Sequence, residues 1–294
     1  MELESLVDAF LDSYAEHGGI NHIDGINLPS KASIANILEN LLHLLMPGFW
    51  GDTMENTDGL PQYTRNQLKT IVTQLSAEIE KSLEFAPVAG VRTPEVVYAF
   101  FTRLLSLRPI LQKDAEAAFN GDPAATCIEE VILAYPGFEA LAVYRIAHIL
   151  YELRVPLIPR MMTEWAHGRT GVDIHPGARI GTSFFMDHGT GIVIGETCII
   201  GDRVKIYHGV TLGARSTSGG QRLRGVQRHP IIEDDVTIYP GATILGGDTR
   251  IGARSVIGGN VWLTHSVPPD SLVTFHTPEL LIRSRREEAI TWEI

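Results

Sequence analysis

The stretch VDIHPGARIGTSFFMDHGTGIVIGETCIIGDRVKIYHGVTLG, residues 172–213, decides the fold because aliphatic residues recur in it at a spacing of six. The spacing resumes at Ile232 and continues to Leu263. A glycine often follows the aliphatic residue, and a small or β-branched residue often stands four positions after it. The aliphatic positions are Ile174, Ile180, Met186, Ile194, Ile200, Ile206, Leu212, Ile232, Ile238, Ile244, Ile251, Ile257 and Leu263. An internal repeat of this kind decides a fold before local propensities do.

Hexapeptides of this form predict a left-handed parallel β-helix, in which three hexads make one triangular coil of about 18 residues with the aliphatic side chains inside. Two steps are slightly longer than six residues and predict small bulges. They are the eight-residue step from Met186 to Ile194 and the seven-residue step from Ile244 to Ile251. The step from Leu212 to Ile232 spans 20 residues and predicts a loop over 213–231 that is rich in Gly, Ser and Arg. Long loops in a regular scaffold are often functional.

The residues before the repeat predict helices. Segments such as ASIANILENLLHLL, TRNQLKTIVTQLSAEIEKSL and PEVVYAFFTRLLSL carry apolar residues at helical spacing. Asp122 and Pro123 resemble an N-cap and first-turn pair that opens a helix. The predicted class is therefore α+β, with an α-helical domain over 1–170, a β-helix over 171–270 and a C-terminal tail over 271–294.

Bulk properties narrow the class of protein. A net charge of −11 argues against nucleic acid or an anionic membrane as the main partner. The two cysteines, Cys127 and Cys198, make no disulfide framework and fit a reducing cytoplasm. The acidic start lacks the basic region of a signal peptide, and no apolar run reaches the roughly 18 residues of a membrane span. We expect a cytoplasmic protein.

The repeat predicts which side chains share one face of the β-helix. Met186, Ile206, Ile238 and Ile257 start hexads on that face, so the third residues of these hexads form a column about 4.8 Å apart. This column is His188, His208, Pro240 and Gly259. Asp173 is expected one coil above His188 on the same face, where a carboxylate would fix the tautomer of an imidazole.

This column suits acyl transfer to a hydroxyl group. An alcohol attacks well only as its proton leaves, and histidine, with an ordinary pKa of about 6.5, can take that proton near neutral pH. Backbone N–H groups or side chains would stabilise the oxyanion, and a groove of small residues fits a thin pantetheine arm. Four arginines of the loop are candidates for the phosphates of coenzyme A, or form a solvated hairpin. They are Arg215, Arg222, Arg224 and Arg228.

The segments YPGFEALAVYRIAHILYELRVPLIPR, TGVDIHPGARIG, MDHGTGIVIGET, GVTLGA, RHP and GGNVWLTHSVPP follow in an order that resembles the serine acetyltransferases, over residues 105 to 273. The resemblance implies acetyl transfer from acetyl-CoA to L-serine, the first step of cysteine biosynthesis, without a metal. It implies trimers formed through the β-helix, often paired into hexamers, and inhibition by L-cysteine.

The same resemblance implies roles for individual residues. His188 would be the general base and Asp173 its orienting partner. Asp122 and Asp187 would hold the substrate ammonium, and Arg228 with His229 would engage its carboxylate and the developing charge. The coenzyme arm would run between subunits past four small residues. These are Gly213, Ala214, Pro240 and Gly259.

The sequence departs from the family pattern at three places. The loop before RHP is longer than in the enterobacterial type of enzyme. His208 stands where many relatives have Gln, and DSLVTFHTPELL replaces the usual closing segment after SVPP. The chain ends in Ile294; in the family, a terminal Ile can enter the active site of O-acetylserine sulfhydrylase, which makes that enzyme a candidate partner.

Three other functions remain open on sequence grounds. The same fold could acetylate another acceptor, although Asp122 and Asp187 favour one that carries an ammonium group. A metal-dependent hydratase of the γ-carbonic-anhydrase type would use His188, His208 and His229 as zinc ligands across a trimer interface. A non-catalytic scaffold would need only the C-terminal tail.

Overall fold

The structure is a computed structural model that describes residues 3–23, 25, 28–50 and 57–275. Its first part consists of helices. The helices are α1 (Leu3–Glu16), α2 (Lys31–Leu45), α3 (Leu60–Phe85), α4 (Thr93–Leu104), α5 (Leu107–Gly121), α6 (Ile128–Ala134), α7 (Pro136–Glu152) and α8 (Ile158–Thr170), with a 3₁₀ turn over Gly18–Ile20. None of the helices in these ranges is both long and apolar enough to cross a membrane.

Short parallel strands follow from Asp173 onward and wind into a three-sided coil. They are β1 (Asp173–Ile174), β2 (Arg179–Ile180), β3 (Phe185–Asp187), β4 (Val193–Ile194), β5 (Ile199–Ile200), β6 (Lys205–Tyr207), β7 (Thr211–Gly213), β8 (Ile231–Ile232), β9 (Thr237–Ile238), β10 (Thr243–Leu245), β11 (Arg250–Ile251), β12 (Val256–Ile257), β13 (Trp262–Leu263) and β14 (Leu272–Val273). A second 3₁₀ turn, Gly220–Leu223, lies in the loop. The predicted fold class, helices followed by a left-handed parallel β-helix, is confirmed.

Each side of the coil is one parallel sheet. The first sheet has the order β1-β4-β7-β10-β13, the second β11-β8-β5-β2, and the third β14-β12-β9-β6-β3. In the third sheet Met186 lies opposite Ile206, and Ile206 lies opposite Ile238, which lies opposite Ile257. The aliphatic residues of the repeat are buried or partly buried in one core, so the repeat predicted the register.

The last strand lies slightly beyond the boundary that the repeat suggested. Leu272 pairs with Val256 and Val273 pairs with Ile257. The β-helix therefore extends into the segment that the sequence assigned to the tail. The remainder of that segment, 276–294, with Ile294, lies outside the described residues.

Helix α7 joins the two halves. Its residues contribute both to the helical core and to the core of the β-helix. Between the halves, the buried Arg145 donates to both carboxylate oxygens of Asp114, at 2.6 and 3.0 Å, and to the carbonyl of Gly181 at 2.7 Å. Asp114 also accepts from the backbone N–H of Phe184 at 3.0 Å. Because these hydrogen bonds satisfy both charged groups, the buried ion pair holds the helical domain in one orientation on the first coil.

One prediction about a helix start was wrong. Asp122 does not open a helix; it is the C-cap of α5, and the next helix begins at Ile128. Its carboxylate accepts from the N–H of Ala124, two residues ahead, at 2.8 Å. Such side-chain-to-backbone bonds stabilise turns as readily as helix starts, and the result is a carboxylate that projects from a turn.

Candidate active site

The first cluster lies on the edge between the third and first sheets and is called the His188 corner. It contains Asp122, Tyr135, Asp187, His188 and His208. The rings of His188 and His208 lie 5.7 Å apart between centroids, which confirms that they are neighbours. Nε2 of His188 lies 3.6 Å from Oδ2 of Asp187, and the His188 side chain is 73% exposed. The imidazole is thus open to a ligand.

The eight-residue step from Met186 to Ile194 explains how His188 reaches this position. His188 has φ of 58°, in the left-handed region that non-glycine residues rarely adopt. The backbone N–H of Gly209 donates to the carbonyl of Thr190, so the two additional residues form a bulge around His188. Bulges often redirect side chains beside active sites.

Asp122 is held at this corner by Tyr135. The Tyr135 hydroxyl donates to Oδ2 of Asp122 at 2.5 Å. This hydrogen bond, aided by the N–H of Ala124 and by the nearby His188, lowers the pKa of Asp122, and it raises the pKa of Tyr135 to about 12. Asp122 is therefore a fixed anion near neutral pH, suited to a substrate ammonium group.

Sequence reasoning missed Tyr135, although it stands in the YPGF segment quoted above. The signal was its position immediately before Pro136, the first residue of α7. A Cβ on Gly137 would lie 2.6 Å from the carbonyl oxygen of Met186. The absence of a side chain there lets the start of α7 pack against β3, and this brings Tyr135 to the His188 corner.

The predicted position of Asp173 was wrong. Asp173 pairs with Val193 in the first sheet, whereas His188 follows a strand of the third sheet, because the coil turns through a corner between them. The Asp173 carboxylate accepts from Arg160 Nη1 at 2.9 Å. The carboxylate paired with His188 in this chain is that of Asp187.

The second cluster lies on the edge between the first and second sheets and is called the Arg228 corner. It contains Tyr151, His175, Glu196, Arg228 and His229. Arg228 forms an ion pair with Glu196, and the Tyr151 hydroxyl donates to the same carboxylate at 2.9 Å. Arg228 and His229 therefore lie on a different edge of the chain from His188.

His229 is buried, and its protonation is fixed by its partners. Burial, followed by the charge of Arg228, lowers the pKa of His229 to about 4. Its Nδ1 accepts from the N–H of Thr197 at 3.1 Å, so the neutral ring carries its proton on Nε2. The ring lies directly over Gly195, where a Cβ would collide with it. His229 is thus a neutral hydrogen-bond donor rather than a cation.

The four residues predicted for the coenzyme divide between two faces. Gly213 ends β7 of the first sheet and precedes Ala214. Pro240 and Gly259 follow strands of the third sheet, and a Cβ on Gly259 would lie 3.1 Å from the carbonyl oxygen of Pro240. Of the loop arginines, Arg215 forms an ion pair with Asp248 at 3.0 Å.

The three histidines proposed as a zinc site are not gathered in one chain, because His229 lies at the Arg228 corner. Within the described residues, the group with metal-ligand geometry is Glu164, His167 and Asp173. Arg160 forms ion pairs with both carboxylates of that group. Its guanidinium already supplies the cation there.

Comparison with known proteins decides the family. No protein-family model matches the chain. A protein of Synechococcus elongatus named "serine acetyltransferase, plasmid" is 45% identical over 261 residues, which is 84% of this chain and 82% of the relative. The chain belongs to the serine acetyltransferase family. A serine acetyltransferase of Mycobacterium tuberculosis is 46% identical over 163 residues, 55% of this chain and 68% of the relative. As a family member, the protein is an acyltransferase.

Solved structures of serine acetyltransferases share the architecture. The Entamoeba histolytica serine acetyltransferase 1 in complex with L-cysteine superposes with a TM-score of 0.73 at 38% identity, covering 81% of this chain and 86% of that one. The Neisseria gonorrhoeae enzyme in complex with serine gives a TM-score of 0.56 at 26% identity, covering 88% of this chain and all of the other.

Proposed function

We propose that this serine acetyltransferase transfers the acetyl group of acetyl-CoA to the hydroxyl of L-serine, giving O-acetyl-L-serine and coenzyme A for cysteine biosynthesis. The observation that carries the proposal is the His188 corner, where an exposed imidazole lies beside two carboxylates, those of Asp122 and Asp187. An amino acid whose ammonium binds these carboxylates would present its hydroxyl to His188. Both described cysteines are free thiols, which fits a reaction in the cytoplasm.

The proposed chemistry is general base catalysis. His188 takes the proton of the serine hydroxyl as its oxygen attacks the thioester carbonyl carbon. Nearby N–H donors stabilise the tetrahedral oxyanion. The intermediate then expels the coenzyme thiolate, which receives the proton from His188. We retain Asp173 as a predicted positioning residue for the base, acting from the adjacent first sheet.

We further propose that the Arg228 corner of a neighbouring subunit completes the site. A serine molecule held at one His188 corner needs a partner for its carboxylate. The cationic Arg228 and the Nε2–H of neutral His229 supply one, but on another edge of the β-helix. A trimer built through the β-helix, alone or paired into a hexamer, would join the two edges. The coenzyme arm would lie in the seam, with Gly213 and Ala214 on one wall and Pro240 and Gly259 on the other.

The test is thiol release from acetyl-CoA with L-serine, other amino acids and sugars as acceptors. We expect His188→Ala and His188→Asn to lower serine-dependent release by about 100-fold or more, the scale of a lost general base. The Asn variant is informative because Asn tolerates the left-handed backbone at this position. The exposed His265→Ala is the matched control and should retain full activity. Release with another acceptor alone would overturn the substrate, and no release at all would overturn the reaction.

Two further partners belong to the proposal. L-Cysteine would occupy the serine site, since it offers the same ammonium and carboxylate with a thiol in place of the hydroxyl, and one similar structure is a complex with L-cysteine. O-Acetylserine sulfhydrylase would bind Ile294. Inhibition kinetics against serine test the first idea, where non-competitive inhibition would contradict it. Deletion of Ile294 tests the second, where unchanged binding to the sulfhydrylase would contradict it.

A further inference from the structure

A cavity of about 590 Å³ lies between the helical domain and the β-helix, beside the Arg228 corner. It is called the proline cavity, because four prolines line it: Pro87, Pro156, Pro159 and Pro176. The turn between α3 and α4 forms one wall, the turn between α7 and α8 forms another, and the loop over 213–231 contributes Arg224. Tyr151 and His175 belong to both the cavity and the Arg228 corner. The helical domain, the first coil and the loop therefore meet at this cavity.

The proline cavity is basic. Three arginines and a histidine line it, and no Asp or Glu is among the lining residues that the structure describes. The basic residues are Arg154, Arg160, Arg224 and His175. Arg160 is neutralised by its ion pairs with Glu164 and Asp173. Among the described residues, Arg154 and Arg224 have no carboxylate partner. In a chain with a net charge of −11, two uncompensated guanidinium groups at one cavity favour an anionic ligand.

The turn between α7 and α8 is strained where it lines the cavity. Leu157 has φ of 60° and ψ of −55°, and the N–H of Ile158 donates to the carbonyl of Pro156 at 2.6 Å. This is the γ-turn with positive φ, which is rare and strained. The Ser82 hydroxyl donates to the same carbonyl, so α3 holds the turn in place. Strained residues cluster at sites that clamp a ligand, and this turn therefore supports a binding role for the cavity.

The lining indicates the chemistry of the ligand. Guanidinium groups bind phosphate oxygens well, and a phosphate monoester, with a second pKa of about 6, is a dianion at pH 8. Arg154 and Arg224 can together neutralise such a dianion. Nδ1 of His175 accepts from the N–H of Gly177 at 3.0 Å, so the neutral ring carries its proton on Nε2 and adds a donor. The prolines and Tyr151 provide an apolar surface for the rest of the ligand.

The proline cavity is separate from the proposed coenzyme seam. Ile174 lies opposite Ile194, which lies opposite Leu212. His175 and Gly213 follow the first and last of these residues, so they lie two strands apart, or about 10 Å. The cavity lies on the helical-domain side of His175, whereas the seam continues from Gly213 away from the helices.

We propose that the proline cavity binds a small phosphorylated molecule, with its phosphate between Arg154 and Arg224 and its apolar part against the prolines. Such a ligand ties the loop to the helical domain, because the two arginines belong to these two parts of the chain. Arg224 precedes Arg228 by four residues, so the ligand holds the segment that leads to the Arg228 corner. The proposal concerns a second site and does not depend on the proposed reaction.

The experiment titrates the full chain with phenyl phosphate at pH 8, followed by ³¹P NMR. We expect Arg154→Asn and Arg224→Gln each to raise the Kd at least about 10-fold, the scale of a lost hydrogen bond to a charged group. Both side chains are exposed, so the variants should fold normally, and Asn tolerates the left-handed backbone of Arg154. The matched controls are Arg254→Asn, at an exposed arginine with φ of 61°, and Arg222→Gln on the same loop. Both should bind as the wild type does.

Three results of the titration would overturn the proposal. The first is no saturable binding by the wild type, and the second is an unchanged Kd in Arg154→Asn and Arg224→Gln. The third is displacement of phenyl phosphate by L-serine or by dephospho-coenzyme A, which would place the probe at the Arg228 corner or in the coenzyme seam. Dephospho-coenzyme A is the suitable competitor because it lacks a phosphate monoester of its own.

Limited proteolysis tests whether the ligand ties the loop to the helical domain. Trypsin cleaves after exposed arginines, and Arg222 and Arg224 are exposed on the loop. Saturating phenyl phosphate should slow cleavage of the loop in the wild type and in Arg254→Asn. It should not slow cleavage in Arg154→Asn, which keeps both cleavage sites but lacks the contact on the helical domain. Wild-type cleavage at the same rate with and without the probe would contradict the proposal.

Discussion

The His188 corner and the Arg228 corner each contain a histidine, in opposite environments. The His188 side chain is 73% exposed and rests on a bulge with a left-handed backbone. His229 is buried over Gly195, with Nδ1 bonded to Thr197. One ring is open to a ligand. The other is locked as a neutral donor, because burial holds its pKa near 4.

This contrast teaches that residue type alone does not assign a chemical role. An exposed imidazole beside carboxylates suits proton transfer, whereas a buried neutral imidazole beside Arg228 suits orientation of an anion. In the proposed function the two corners are complementary halves of one amino-acid site, and the predictions below test that arrangement.

The largest effect is expected from mixing two inactive variants. His188→Ala lacks the base and Arg228→Ala lacks the carboxylate partner. If each site takes one corner from each of two subunits, a site in a co-expressed mixed trimer is intact when His188 comes from an Arg228→Ala subunit and Arg228 comes from a neighbouring His188→Ala subunit. In an equal mixture this holds for about a quarter of the sites, so up to about a quarter of wild-type activity should be recovered. Separately purified variants, mixed without subunit exchange, are the control. No recovery in mixed trimers would show that the corners do not share a site.

A smaller effect is expected from Tyr135→Phe, which removes the hydrogen bond to Asp122. Hydrogen bonds to charged groups contribute about 1.5–3 kcal/mol, so the KM for serine should rise at least about 10-fold with kcat nearly unchanged. Because Tyr135 lowers the pKa of Asp122, the acid limb of serine binding should also move to higher pH. Tyr98→Phe is the control. A fall in kcat with an unchanged KM would contradict the positioning role.

The smallest effect concerns stability at acid pH. The pKa of His229 is about 4 in the folded chain and about 6.5 when unfolded. As the pH falls below 6.5 the unfolded state binds the proton first, so this contribution is complete above pH 6.5 and is lost toward pH 4. The loss is at most about 3 kcal/mol.

Urea unfolding of the wild type and His229→Asn at pH 7.5 and 4.5 measures this contribution. The wild type should lose more stability than the variant between the two pH values, while the exposed His265→Gln should behave as the wild type does. Equal losses in the wild type and His229→Asn would show that His229 is not the responsible group.

The sequence predicted the features that depend on the interior of the β-helix. Aliphatic residues at a spacing of six must face inward, so the register and the contact between His188 and His208 follow from counting. The other features at the corners did not follow from counting. Asp173 belongs to another face because β1 and β3, although close in sequence, form different sides of the same coil.

Contacts between the helices and the β-helix were also beyond the sequence pattern. The hydrogen bond from Tyr135 to Asp122 depends on how closely α7 packs against β3, which Gly137 permits. The burial of His229 depends on Gly195, where a Cβ would collide with the imidazole ring. Neither contact has a periodic signal, because Asp122 and Tyr135 lie at helix ends and His229 lies in the loop outside the repeat.

The loop over 213–231 leaves the β-helix after β7 and returns at β8 without disturbing either ladder, since β7 pairs with β4 and β10 while β8 pairs with β5 and β11. Near the end of the loop, the side-chain amide of Gln227 donates a hydrogen bond to the carbonyl of Thr197 at 2.7 Å. The entropy of closing a loop rises only slowly with its length. The part of the loop between Ala214 and Gln227 can therefore change in length and sequence while the β-helix and the position of Arg228 stay the same.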